Sequence, residues 1–100
     1  MKLILNDGVE IEITSMNDSY NSDNVADSDK RSISFTISDP DESMTIDYLA
    51  DILTNENVSK MSVTTDKMVK QINACQVVNI NENISDDSHF LTIRMNYIKK

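Results

Sequence analysis

The sequence predicts an α+β domain: a mainly antiparallel sheet in the order βββαββββ, with one helix packed on it. Three observations carry this. Several short segments alternate apolar and polar residues with period two, one stretch after residue 39 has helical spacing, and Asn, Asp and Ser cluster between them. Gly and Pro occur once each, so eleven Asn and twelve Ser take over the turning. Their short polar side chains bond nearby backbone groups and stabilise turns.

Leu3–Leu5 and Val9–Ile13 flank Asn6-Asp7-Gly8. Asp-Gly between apolar runs favours a tight turn with positive φ at the glycine, so a β-hairpin is expected. Val9, Ile11 and Ile13 share one face, Glu10 and Glu12 the other. Residues 15–31 read as a long polar loop, a flap or binding segment in which only Met16, Tyr20, Val25 and Ala26 are apolar. Residues 32–38 alternate again through Ile33, Phe35 and Ile37.

Asp39-Pro40-Asp41-Glu42 then has the pattern of a helix start: Asp as cap, Pro at the first helical position, Glu three after the cap. Ser43 competes as a cap, with a later start. Ile46, Leu49, Ala50 and Leu53 fall on one helical face, and the helix should stop near Asn55 or Asn57. Four strands follow: 60–65, 67–72, 76–81 and 90–98, with turns at Asp66-Lys67 and 83–88. Met61, Met68 and Met95 lie in these strands and are expected in the core, whereas Met16 suits an exposed, adaptable contact.

One hundred residues without an internal repeat imply a single domain, 1–100. A core of that size is modest, so a self-associated or partner-bound state is expected to help stabilise it. One cysteine, Cys75, excludes an intramolecular disulfide. The first residues have too short an apolar stretch for a signal peptide, and no segment suits a membrane helix. A reducing host cytoplasm, or a virion assembled there, is the expected location.

Charge is distributed unevenly. Residues 1–59 hold thirteen Asp/Glu against three Lys/Arg, and residues 60–100 hold four against six; −10 and +2 give the net −8. The resulting field repels nucleic acid and steers the chain toward a protein partner with a basic surface. Direct nucleic-acid binding is not expected, because Lys67, Lys70, Arg94, Lys99 and Lys100 are scattered and any phosphate contact they made would have to work against the negative field of the whole molecule.

No constellation for catalysis emerges. His89 is the sole histidine, and a Cys75–His89 dyad would have neither an adjacent glycine for an oxyanion hole nor a nearby cation. A lone cysteine is ordinarily a small core residue. Glu10 and Glu12 share a strand face, which alternation explains as a solvent face. Asp23, Asp27 and Asp29, or Asp39, Asp41 and Glu42, could crowd a cation, but neither run has the spacing of an EF-hand loop. No metal or cofactor is therefore expected. One glycine cannot build a phosphate-cradling loop.

The opening Lys2-Leu3-Ile4-Leu5-Asn6-Asp7-Gly8-Val9-Glu10-Ile11, followed by a central strand, a short helix and paired strands, resembles small phage-encoded β-rich proteins. Some of those are accessory virion parts and others inhibit host defence. The resemblance implies a non-enzymatic interaction or structural module, an accessory phage virion component. The alternative it leaves is an acidic inhibitor of anti-CRISPR type that mimics phosphates. In either case the expected partner-binding residues are Asp18, Asp23, Asp27, Asp29, Asp39, Asp41 and Glu42.

Overall fold

A computed structural model of the chain describes residues 1–20 and 29–99. The elements are β1 (Lys2–Ile4), β2 (Glu10–Glu12), β3 (Ser15–Tyr20), β4 (Asp29–Ser38), α1 (Ile46–Ile52), β5 (Lys60–Thr64), β6 (Val69–Asn73), β7 (Gln76–Ile84) and β8 (His89–Lys99). The α+β class, mainly antiparallel sheet with one helix, is as the sequence predicts. The strands form two sheets rather than one, ordered β2-β1-β5-β6 and β3-β4-β8-β7.

The opening hairpin forms around Gly8, whose φ of 92° is the conformation that favours glycine. The Asp7 carboxylate accepts from the Val9 N–H at 3.0 Å, closing the turn. At two corners the chain passes from one sheet to the other. Ile13 still donates to Met1 in the first sheet, whereas Thr14 donates to Thr36 in the second. Ala74, with φ 60°, and Cys75 link β6 to β7.

Period-two alternation supplies the core. Leu3, Ile11, Met61, Val63 and Ile72 from one sheet meet Ile33, Phe35, Leu91, Ile93 and Met95 from the other in a single buried cluster. Leu49 and Leu53 from the helix region complete it. Burying one such side chain contributes about 1.5–3 kcal/mol.

Four details depart from the sequence reading. Residues 15–20 are a strand, and 29–31 extend β4, so the 15–31 loop contracts to 21–28, outside the described residues. The helix starts at Ile46, capped by the Thr45 hydroxyl, which accepts from the Tyr48 N–H at 3.1 Å. Asp39 is not the cap: β4 stays paired to Ser38, and Asp39 turns off it with φ 49° while donating to the His89 carbonyl. Met68 lies in the turn before β6, 54% exposed, whereas Met16 packs against the core.

Candidate functional site

Register places Asp18 on the inner face of its sheet. It lies opposite Ile33, which lies opposite Met95, and directly opposed residues share a face. Lys70 is on the inner face of the other sheet, opposite Val63. The two meet between the sheets, Lys70 Nζ donating to Asp18 Oδ2 at 2.6 Å. The Tyr97 hydroxyl lies 2.8 Å from both Asp18 oxygens. After the two residues that follow β6 the chain enters β7, at the opposite edge from β3. β6 is therefore tied to the second sheet at two places, by this cluster and by the chain itself.

Burial opposes charge on Asp18. The hydrogen bonds from Lys70 and Tyr97, with the positive charges of Lys70 and Arg31, outweigh it and hold the carboxyl below its ordinary 3.8. Burial, the hydrogen bond to Asp18 and the Asp18 charge push the Tyr97 hydroxyl up to about 12. Burial and the same charge push the Cys75 thiol up to about 12. The ionised Asp18 and Lys70 brace the two sheets against each other, Tyr97 steadies Asp18 from within its own sheet, and the phenol and thiol keep their protons. None is poised to exchange a proton near neutrality.

Cys75 and His89 lie at opposite ends of β7, because His89 is opposite Ile84. At about 3.3 Å per residue, that separates them by roughly 25–30 Å. His89 Nε2 instead hydrogen-bonds Glu82 Oε2 at 2.7 Å. Among the described residues no three His, Cys, Asp or Glu side chains are grouped to hold a metal ion.

The sequence-predicted partner residues separate. Asp18 is drawn inward, its side chain 15% exposed, and is not a free surface carboxylate. Asp23 and Asp27 lie outside the described residues, and Asp29 begins β4. Asp39, Asp41 and Glu42 are exposed in the turn between β4 and α1. Asp41 accepts from the Ser43 hydroxyl at 2.6 Å and the Ser43 N–H at 3.1 Å. These bonds hold its carboxyl below 3.8.

A second acidic feature is an open groove of about 460 Å³ between the β1–β2 turn and the end of α1, with Asp7, Asp51 and Glu56 on its walls. Asn57 fixes its floor: its side chain donates to the Ile52 carbonyl at 2.6 Å and accepts from the Asp7 N–H at 3.0 Å. The sequence reading missed both the groove and the inter-sheet cluster. Alternation held the only signal for the cluster, since Asp18, Lys70 and Tyr97 each occupy an inward position of their strand.

Fold and sites together define a small two-sheet module with an internal polar brace and an acidic, open groove. Comparison with protein-family models, curated proteins and solved structures gives no match.

Proposed function

We propose that this chain is a non-enzymatic interaction module that receives a basic partner, an accessory phage virion component being the form this takes. The observation that carries the reading is the contrast between its two sets of ionisable groups. Those between the sheets are spent on bracing, whereas Asp7, Asp51 and Glu56 stand around an open groove. Opposite charges across such a rim steer encounter and fix register. Asp39, Asp41 and Glu42 add exposed negative charge at the other end of the segment leading into α1.

Titration with a lysine-rich peptide tests the groove. The protein should bind it with an affinity that falls steeply with salt. The Asp7→Asn/Asp51→Asn/Glu56→Gln variant should bind several-fold more weakly, and equal binding by both proteins would remove the groove from the argument. Co-purification with phage particles supports the virion form. Displacement of the chain from a host nucleic-acid-binding protein by nucleic acid would favour the inhibitor alternative, carried by Asp39, Asp41 and Glu42.

A further inference from the structure

Four strands stand at sheet edges: β2 and β6 in one sheet, β3 and β7 in the other. An open edge presents unpaired backbone groups to any other strand, and proteins blunt it with charge, proline or brevity. β2 has three residues, two of them Glu10 and Glu12. β3 carries Asp18 and β6 carries Lys70. β7 is different. It runs for nine residues, seven of them exposed, with Glu82 its only charge. It also displays Val78 at 57% and Ile84 at 66% exposure. Its one irregularity, a bulge between Val77 and Asn79, leaves Asn79–Ile84 in unbroken register with β8.

We propose that two copies of this chain associate by antiparallel pairing of β7 with β7 about a two-fold axis at Asn81. The strand is complementary to itself in that register. Positions 79–83 oppose each other where their numbers sum to 162, and just beyond them Val78, the residue inside the bulge, comes beside Ile84 of the second copy at each end. Both exposed apolar side chains are thereby covered, once at each end of the seam. Asn79 meets Asn83 and Asn81 meets Asn81 on the outer face. An amide both donates and accepts, so identical residues can bond across a two-fold axis. Glu82 faces Ile80 rather than another carboxylate.

The low charge of β7 is what admits a second copy as the occupant. A chain of net −8 repels itself over most of its surface. Within β7 one carboxylate per copy, Glu82, comes to the seam, and it already hydrogen-bonds His89 of its own chain, while Asp86 and Asp87 lie in the turn beyond the paired residues. Pairing would join two four-stranded sheets into one of eight, with an isologous interface. The contact is narrow, so association should be concentration-dependent. It uses none of the groove residues and does not depend on the basic-partner reading.

Sedimentation equilibrium of the full chain from about 1 µM to about 1 mM should show a shift from 11.3 kDa to twice that mass. Val78→Glu/Ile84→Glu sets like charges opposite each other at both ends and should weaken dimerisation at least about tenfold. Val78→Lys/Ile84→Glu sets opposite charges there and should recover most of the loss. Both sites are exposed, and circular dichroism verifies that the fold is kept. Asn81→Cys should cross-link to itself under mild oxidation much faster than Asn79→Cys, because only residue 81 meets its own copy; Cys75, buried, stays out of the reaction. A monomer throughout, a dimer indifferent to the paired glutamates, no recovery with Lys/Glu, or equal cross-linking at 79 and 81 would each overturn the proposal.

Discussion

β3 and β7 flank the same central pair, β4 and β8, yet their side chains have different uses. β3 turns a carboxylate inward, where Lys70 of the other sheet and Tyr97 hold it. β7 turns Val77 and Ile80 toward the core and leaves its remaining seven residues exposed. One edge is thus tied to the opposite sheet by charge, and the other is held by its ladder to β8 and by apolar contacts, α1 among its neighbours. Equivalent places in a sheet need not be equally fixed, and the looser edge is the one free to meet something else.

Removing the tie should have the largest effect. Asp18→Ala leaves a half-buried ammonium and a buried phenol without their acceptor and should cost about 1–3 kcal/mol of stability, measured by urea unfolding. A double-mutant cycle with Lys70→Met should show coupling: the pair of changes should cost less than the sum of the singles. An additive result would mean that the brace carries no shared energy. Tyr97→Phe deletes one hydroxyl and keeps the ring in the core, so about 1 kcal/mol is expected.

Stability should also depend on pH through this edge. The folded-state pKa of Asp18 lies below its ordinary 3.8, so its contribution is complete above that value and is lost as pH falls through the folded pKa. Asp18→Asn should flatten the acid limb of a stability–pH curve. Tyr97 has the opposite sign. Raised from 10.0 to about 12, it contributes fully below pH 10 and loses that contribution as pH climbs toward 12. Cys75, raised from 9.0 to about 12, behaves alike, and its thiol should react with a disulfide reagent only after unfolding.

The β7 edge should show the smallest effects. Asn81→Ala and Ile84→Ser touch exposed side chains and should change monomer stability by less than about 0.5 kcal/mol. A loss comparable to that of Asp18→Ala would erase the contrast between the edges.

Much of this molecule is written locally. Alternation through Val9–Ile13, Ile33–Ile37, Met61–Val63 and Leu91–Tyr97 assigns the strands and most of the core, because a strand's side chains must alternate faces whatever lies beyond them. Asp-Gly specifies the first hairpin for an equally local reason, the positive φ at Gly8. The same local rules mislead where a distant partner decides. Asp18 makes Ser15–Tyr20 look like polar loop, and only the arrival of Lys70, 52 positions away, makes an inward carboxylate tolerable there. The capping pattern at Asp39 is overridden by the pairing of Ser38 with Phe90, which keeps the strand going to Ser38; the chain then turns through 39–44 before Thr45 caps the helix.

The candidate sites follow the same division. The surplus of carboxylates in residues 1–59 belongs to the sequence, since charge needs no fold to exist. Which of them stand free and which are consumed inside is decided by the meeting of the two sheets. Between the sheets burial penalises a lone charge, so Asp18 and Lys70 are held as a pair, whereas Asp7, Asp51 and Glu56 stand exposed to water at the rim.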